Sequence, residues 1–381
     1  MPNLKSKLPH VGTTIFTKMS QLAHAHDAIN LSQGFPNFKP NQQLIKYSQE
    51  ALESHRNQYA PLGGLPELRQ KITDKIHQLY NHRYDWETEI TITAGATQAI
   101  FTSISALVHP GDEVIVFKPA YDCYEPAVEL NGGVVKAIQL DAPDFNIDWN
   151  KVSDLMSDKT KLIIINTPHN PTGYVWTSND FKQLKNIVQN TSTYILSDEV
   201  YEHMVFDDQK HLSICQDEEL AQRSIATYSF GKTYHVTGWK LGYAVAPKAL
   251  MTEFRKVHQY NVFCVNHPLQ YALCQILDKP QLYMGLSDFY QQKRDMFLGL
   301  VKDSRFTFKP TQGTYFQLAD YSAISDLPDT EFCIELIKKQ GLAAIPISVF
   351  NKDKLQQNCI RFCFAKTDET LEQAAEIINT L

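Results

Sequence analysis

The sequence contains no apolar run that approaches the ~20 residues needed to span a bilayer, although 43% of its 381 residues are hydrophobic. The N-terminal stretch Met1–His10 is polar and lacks the apolar core of a secretory signal. We therefore expect no membrane segment and a cytoplasmic protein. A chain of this length and composition can bury a large core, as one large or two medium domains.

Clusters of cysteine and of positive charge are also missing. The seven cysteines are an odd number scattered through apolar segments, which predicts reduced, buried thiols and no disulfide framework. The nearest pair, Cys359 and Cys363, has no accompanying set of His or Cys residues, so no metal site is predicted. The formal net charge is −6 and the lysines and arginines are dispersed, which argues against a nucleic-acid partner.

Strand-like apolar runs alternate with helical stretches up to about Pro280, which is typical of an α/β protein with a mostly parallel sheet covered on both faces. The predicted strands are Glu89–Thr93, Glu113–Phe117, Lys136–Leu140, Lys161–Asn166, Thr193–Ser197, Ile225–Phe230 and Leu241–Ala246. Beyond this point longer amphipathic helical runs surround short strands, which predicts a second, α+β domain. These runs are Ser287–Val301, Thr330–Lys339 and Asp368–Leu381, with strands near Thr314–Leu318 and Ile360–Phe364.

The segment Ser229–Lys240 carries the most specific chemistry, and it lies at the exit of the buried-strand run Ser224–Phe230. It places a hydroxyl and two lysines among small residues. A lysine there can attack a carbonyl, because burial and a second cation lower its pKa and free the amine. Gly231–Thr233 is similar to the end of a Walker A loop, but Ala226 stands where that loop requires its first glycine.

Other strand ends carry groups that would suit pyridoxal phosphate (PLP). Asp198 follows the run Thr191–Ser197, where open α/β sheets bind ligands, and a carboxylate there suits either a pyridinium nitrogen or the cap of the next helix. Thr167–Gly173 forms a turn after the strand Lys161–Asn166. In Ala94–Gln98, a glycine-containing turn from strand to helix can bind an anion, although such turns are common in α/β sheets.

In their order along the chain, these groups resemble the class I and II PLP-dependent aminotransferases over essentially the whole length. The matching segments are Ser32–Pro36, Tyr59–Pro61, Asn170–Gly173, Ser197–Tyr201, Ser229–Lys240, Gly313–Phe316 and Ile360–Phe364. A second set of segments is similar to the branch that contains bacterial methionine aminotransferases and kynurenine–oxoglutarate transaminases. That set comprises Tyr121–Pro126, Gly231–His235 and Ala344–Phe350.

This resemblance implies a fold type I transferase, with a seven-stranded, mostly parallel sheet flanked by helices and a smaller α+β domain. It implies a segment 1–40 that packs with the small domain, a large PLP-binding domain 41–280 and a small C-terminal domain 281–381. It also implies a homodimer with active sites completed by both subunits.

The resemblance further assigns roles to individual residues. Lys232 would bind PLP covalently and move a proton, Asp198 would keep the pyridine nitrogen protonated, and Tyr201 would bond to the ring oxygen. The cofactor would contact Gly95, Ala96, Thr97, Tyr121, Asn170, Asp198, Tyr201, Ser229, Lys232 and Lys240, and Tyr59 from the other subunit. The substrate would contact Gly34, Asn170, Arg361, Phe16 and Tyr121. Many relatives carry arginine where this chain has Lys240, so a point charge replaces a two-bond fork.

Arg361 would bind the substrate α-carboxylate through two hydrogen bonds. It lies between two apolar residues, and an arginine is costly to bury without a partner. The alternative interpretation is a structural ion pair with another part of the chain.

For the amino donor, the resemblance points to methionine, with aromatic amino acids and kynurenine as further candidates, in a ping-pong exchange with a 2-oxo acid. The side-chain pocket is expected to contain Ile15, Phe16, Tyr59, Tyr121 and, from the neighbouring subunit, Val265 and Asn266. Such a pocket has few cations and disfavours aspartate. Val265 and Asn266 differ from the aromatic residue and histidine of kynurenine-preferring relatives, which favours methionine.

Two other functions are compatible with parts of this pattern. A carbon–sulfur β-lyase of the cysteine-S-conjugate type shares Lys232, Asp198 and Arg361, and the motifs do not exclude it. Release of pyruvate and ammonia from a sulfur-containing amino acid would distinguish it. A PLP-binding regulator is disfavoured because no basic helix-turn-helix precedes residue 30.

Overall fold

The computed structural model describes residues 4–381, so the first three residues of the predicted segment 1–40 lie outside the described part. The α-helices are α1 Ile15–Ala25, α2 Gln42–Glu53, α3 Pro66–Tyr80, α4 Gly95–Leu107, α5 Tyr124–Leu130, α6 Trp149–Leu155, α7 Ser178–Val188, α8 Glu218–Ala221, α9 Phe230–Thr233, α10 Lys248–Asn261, α11 His267–Ile276, α12 Gln281–Met284, α13 Leu286–Leu300, α14 Asp329–Gln340 and α15 Asp368–Ile378.

The strands are β1 Ile29–Asn30, β2 Ile90–Thr93, β3 Glu113–Lys118, β4 Val134–Gln139, β5 Thr160–Asn166, β6 Tyr194–Asp198, β7 Ser224–Ser229, β8 Gly242–Val245, β9 Thr307–Phe308, β10 Phe316–Asp320, β11 Leu342–Ala343, β12 Ile345–Pro346 and β13 Cys359–Cys363. None of the helices between residues 4 and 381 is both long and apolar enough to cross a membrane.

Seven strands form one sheet in the order β2-β8-β7-β6-β5-β3-β4, which confirms the predicted α/β class and the seven-stranded, mostly parallel sheet. The strands from β7 to β4 in this order are parallel, whereas β8 is antiparallel to both of its neighbours. Successive residues of β5 pack into two different cores: Ile163 and Ile165 into one, Leu162 and Ile164 into the other. Because successive side chains point to opposite faces, the sheet is covered on both sides.

Several polar residues at strand ends lie at one edge of this sheet. Asn166 at the end of β5 pairs with Asp198 at the end of β6. Gly242, at the start of β8, is in register with Ser229 at the end of β7 and with Thr93 at the end of β2. The carboxyl ends of β5, β6, β7 and β2 therefore lie at one edge, with the start of β8 between the last two, and α4 begins two residues after Thr93.

A second sheet, antiparallel and ordered β12-β13-β10-β9, lies in the C-terminal part of the chain. The N-terminal strand β1 pairs with β11 of the same part, with Ile29 opposite Leu342. This pairing supports packing of the N-terminal segment with the small domain. The boundaries at residues 40 and 280 stay predictions.

Candidate active site

A cavity of about 290 Å³ opens at the carboxyl edge of the seven-stranded sheet, between that sheet and residues of β10 and β13. All of the predicted site residues except Tyr59 line it, namely Phe16, Gly34, Gly95, Ala96, Thr97, Tyr121, Asn170, Asp198, Tyr201, Ser229, Lys232, Lys240 and Arg361. Eight separate stretches of a 381-residue chain therefore meet in one place.

Lys232 lies on the short helix α9, which begins where β7 ends. The Ser229 hydroxyl accepts a hydrogen bond from the Lys232 backbone N–H at 3.3 Å and so caps this helix. The Lys232 Nζ donates to the Gly34 carbonyl at 3.0 Å and to the Tyr315 hydroxyl at 2.6 Å. Burial lowers the pKa of Lys232 to about 8, and the nearby cations Arg361 and Lys240 act in the same direction. A much larger fraction of this amine is unprotonated at neutral pH than in an ordinary lysine.

Asp198 is buried at the end of β6. Hydrogen bonds from the chain itself stabilise its negative charge only in part. Its Oδ2 accepts a hydrogen bond from the Tyr124 hydroxyl at 2.5 Å, and the Val200 N–H donates to its Oδ1 at 3.4 Å. Burial nevertheless raises the pKa of Asp198 to about 6. A protonated ring nitrogen would supply the missing positive partner, so this carboxylate fits a pyridine ring.

Arg361 lies on β13 and is only 2% exposed. Its guanidinium donates to the Asn170 Oδ1 at 2.9 Å and to the Ser32 carbonyl at 3.3 Å, and it stacks 3.8 Å from the Phe316 ring. Within residues 4–381 the buried Nε has no hydrogen-bond partner, and no carboxylate lies within 4.0 Å of the guanidinium. The structural ion pair that the sequence left open is therefore not formed, and the group fits a ligand carboxylate.

The first turn of α4 has the features of an anion site. Its N-cap residue Ala94 provides no side-chain cap, so the free N–H donors of the first turn need acceptors from other groups. Gly95 has a φ of 74°, and a Cβ at this position would lie 3.6 Å from the Lys240 Nζ. Together with the Ser229 hydroxyl, this turn and the ammonium suit a phosphate group.

The remaining predicted residues divide between this cavity and the surface. Tyr121 lines the cavity and its hydroxyl lies 3.2 Å from the Thr97 hydroxyl. Phe16 also lines it, with its ring 5.6 Å from that of Phe350. Tyr59 is 81% exposed and packs edge-on against the ring of Phe263. Its predicted contact with a cofactor in another subunit stays a prediction.

Three further residues predicted for the side-chain pocket do not line the cavity. Ile15 packs against the core, Val265 is buried, and the Asn266 side chain caps α11. Ile15 was expected to contribute from the same chain, and the α1 side chain that reaches the cavity is its neighbour Phe16. The other two were expected to act from a neighbouring subunit, and this expectation stays a prediction.

Sequence reasoning assigned no role to several residues that line the cavity or contact its lining. Tyr124 and Tyr315 lie within segments that resemble the family, but only the structure brings their hydroxyls to Asp198 and Lys232. Asp122 directly follows Tyr121, and this adjacency was the available signal for its place in the cavity. The other unassigned lining residues are Gln33, Phe35, Ile100, Asn166, Val200, Gly231, Thr237, Leu241 and Phe316.

Comparison with known proteins gives a consistent result. Residues 26–378 match the family model described as "Aminotransferase class I and II". Methionine aminotransferase of Escherichia coli (strain K12) is 49% identical over 99% of this chain and 98% of its own length. Human kynurenine–oxoglutarate transaminase 3 is 34% identical over 98% of this chain and 89% of its own length. The crystal structure of YbdL from Escherichia coli, for which a methionine aminotransferase function was identified, superimposes with a TM-score of 0.97 at 48% identity and covers 100% of both chains.

Proposed function

Because this chain belongs to the class I and II aminotransferases, we propose that it uses pyridoxal 5′-phosphate and that methionine is its preferred amino donor. An aminotransferase moves an amino group from an amino acid to a 2-oxo acid, so its substrates belong to these two classes. The β-lyase alternative is not favoured, since the relatives compared above are aminotransferases.

The arrangement of one lysine, one buried carboxylate and one helix start around a single cavity carries the cofactor proposal. When bound, PLP supplies an aldehyde that reacts with amines and a ring that withdraws electrons from the substrate Cα. Ser229, Lys240 and the first-turn N–H groups of α4 would hold its phosphate. Tyr201 and Asn170 would bond to its ring oxygen, and Tyr121 would stack on the ring.

Two residues would hold or transfer the protons of the reaction. Asp198 would hold a proton on the ring nitrogen, because the charge of its buried carboxylate is only partly compensated by the chain and a protonated nitrogen would supply a positive partner. Lys232 would anchor the cofactor and, when released by substrate, carry a proton at its Nζ. Its pKa of about 8 lies close to neutral pH, where a group that both accepts and donates protons is most effective. The same groups would serve both halves of a ping-pong exchange.

The choice of methionine rests on the cavity lining and on the 49% identity to a methionine aminotransferase. Among the described residues, the cations that line the cavity are Lys232, Lys240 and Arg361, and each already has a proposed partner. Phe16 and Tyr121 offer apolar surface to a thioether or an aromatic ring. Asp122 adds negative charge, so the second carboxylate of aspartate would be repelled.

A substrate panel tests this choice. With one 2-oxo acid acceptor kept constant, we expect the kcat/KM for methionine to exceed that for aspartate by at least about a hundredfold. An uncompensated buried charge costs about 3–5 kcal/mol, and each 1.4 kcal/mol is a factor of about ten. Phenylalanine is the apolar control and should fall closer to methionine. A higher kcat/KM for aspartate would overturn the proposal, and release of pyruvate and ammonia as main products would favour the β-lyase.

A substitution at Arg361 tests the carboxylate site. Arg361→Lys keeps the charge but loses the planar fork, so substrate binding should weaken by about 1.5–3 kcal/mol for amino and oxo acids alike. Arg294→Lys is a matched control, since Arg294 is another buried arginine but is already paired with Asp207 and Asp295. The measurement is the apparent KM across a substrate series. Unchanged KM values in Arg361→Lys would show that the carboxylate role is wrong.

We also propose a homodimer in which Tyr59 reaches the phosphate bound in the other subunit. The exposed, mutually packed rings of Tyr59 and Phe263 support this proposal, because large apolar side chains grouped at a surface are typical of interfaces. A cytoplasmic location is part of the same proposal, and the free state of all seven cysteines, which lie within residues 4–381, is compatible with it.

A further inference from the structure

Tyr315 makes a direct contact with the amino group on which the proposed chemistry depends. Its side chain is fully buried, and its hydroxyl lies 2.6 Å from the Lys232 Nζ. The same hydroxyl donates to the Gly34 carbonyl at 2.5 Å, and the Lys232 Nζ donates to that carbonyl at 3.0 Å. The amine, the hydroxyl and the carbonyl thus form a closed triangle of hydrogen bonds.

The Gly34 carbonyl is held in place from several sides. The Lys366 ammonium donates to the two neighbouring carbonyls, those of Gln33 at 3.2 Å and Phe35 at 2.7 Å. At Gly34 itself, a Cβ would come within 2.8 Å of the Phe316 ring, so the backbone passes as close to that ring as a glycine allows. The carbonyl is therefore a fixed acceptor for the Lys232 amine.

The hydroxyl of Tyr315 is equally well fixed, because its ring is enclosed by other rings. The ring centroids of Tyr201, Tyr290 and Phe316 lie 5.2, 5.7 and 4.9 Å from that of Tyr315. Aromatic pairs at these separations attract each other as well as filling space. Burial and neighbouring groups hold the pKa of Tyr315 well above its usual range, so the hydroxyl stays neutral and can accept from the lysine at any physiological pH.

We propose that Tyr315 is a positioning residue that, with the Gly34 carbonyl, holds the free amino group of Lys232 in a fixed orientation for proton transfer. This inference rests on the proposed function, since it concerns the lysine in the state in which the cofactor does not bind it. A neutral amine has two N–H donors, and both find acceptors here. Its lone pair is then the one remaining site that can receive a proton from a substrate in the cavity.

Several other groups also act on this amine and must be kept constant in a test. The cations Arg361 and Lys240 disfavour its protonation, while Asp198 and Cys363 favour it. The ring of Tyr201 lies 5.5 Å from the Nζ. A phenylalanine at position 315 keeps the ring packing and removes one hydrogen-bond acceptor, so all of these groups stay in place.

The test compares Tyr315→Phe with Tyr290→Phe in the full-length chain. Tyr290 is a matched control, because it is also fully buried in the same aromatic cluster and its hydroxyl has no hydrogen-bond partner in the described part of the chain. The first measurement is the pKa of Lys232 in cofactor-free protein, obtained from the pH dependence of its acylation by trace acetic anhydride and read by peptide mass spectrometry. Losing an acceptor destabilises the ammonium, so the acid dissociation constant should rise about tenfold in Tyr315→Phe. It should not change in Tyr290→Phe.

The second measurement is the rate at which PLP-loaded protein reacts with saturating methionine in the absence of an acceptor. We expect this half-reaction to slow about tenfold in Tyr315→Phe, with the dissociation constant for methionine unchanged and Tyr290→Phe equal to the wild type. An unchanged pKa of Lys232 in Tyr315→Phe would overturn the inference, and so would a shifted pKa with an unchanged half-reaction. A wild-type protein that neither binds PLP nor reacts with amino acids would instead refute the proposed function, whereas the acylation measurement needs no cofactor.

Discussion

Replacing Lys232 with alanine should abolish turnover and leave the fold intact. The substitution removes the group that would anchor the cofactor and the group that would carry the proton, because both roles fall on the same Nζ. General acid–base catalysis alone is typically worth ~10²–10⁴-fold, so the combined loss in kcat should be at least of this size. Lys240 cannot take over, since its ammonium lies beside Gly95 at the proposed phosphate end of the cavity.

Lys232→Arg is the matched control for this prediction. It keeps a positive charge at the same position, but a guanidinium is never deprotonated in proteins and cannot act as a nucleophile. Both variants should therefore be inactive and should lack the visible absorption that marks PLP joined to a lysine. Circular dichroism and the unfolding temperature would check the fold, and near-normal turnover in Lys232→Ala would contradict the assignment of this residue.

The sheet was predictable from the sequence because most of its strands are covered on both faces. Such strands read as continuous apolar runs, as Thr160–Asn166 does, and all seven predicted runs correspond to strands. The edge strand β4 starts at Val134, two residues before its predicted start, although Val134 and Val135 are both apolar; the first of them is exposed at the edge of the sheet. The reversed direction of β8 was not predicted, since an apolar run carries no information about direction.

The predictable part of the site is the part carried by strand ends. Asp198, Ser229 and the start of α4 follow buried runs, and parallel strands bring their carboxyl ends to one edge. The hydroxyl partners were beyond sequence reasoning, because Tyr124 is 74 residues from Asp198 and Tyr315 is 83 residues from Lys232. Such contacts depend on how α5 and the second sheet pack against the seven-stranded sheet, which local periodicity does not encode.

Asp198→Asn is expected to separate the catalytic role of this position from its structural role. Asparagine has nearly the same shape and can still accept the hydrogen bond from the Tyr124 hydroxyl, so the cofactor should still bind. A neutral amide cannot stabilise a protonated ring nitrogen, however. One preorganised electrostatic group is typically worth on the order of 10²–10³ in kcat, and we expect a loss of this size for methionine. Steady-state kinetics with PLP-saturated protein would measure it.

The same variant should be more stable than the wild type when neither contains cofactor. The pKa of Asp198 is about 6 in the fold, above its ordinary value of 3.8, so the folded chain binds this proton more tightly than the unfolded chain does. The resulting stability is fully present below pH 3.8 and is lost as the pH rises through 6. At pH 7 the buried carboxylate thus costs about 3 kcal/mol, at about 1.4 kcal/mol for each pKa unit, and asparagine removes this cost.

The unfolding temperature of the cofactor-free protein should therefore rise in Asp198→Asn at pH 7, and the difference from the wild type should shrink toward pH 4. If Asp198→Asn misfolded, both stability and activity would fall. If the carboxylate acts by stabilising a protonated ring nitrogen, stability should rise while activity falls. A variant that loses stability at pH 7, or that keeps wild-type kcat, would show that Asp198 does not act through its charge. A gain in stability together with a loss of kcat is expected only if the buried carboxylate destabilises the cofactor-free fold and contributes to catalysis by stabilising a cationic partner.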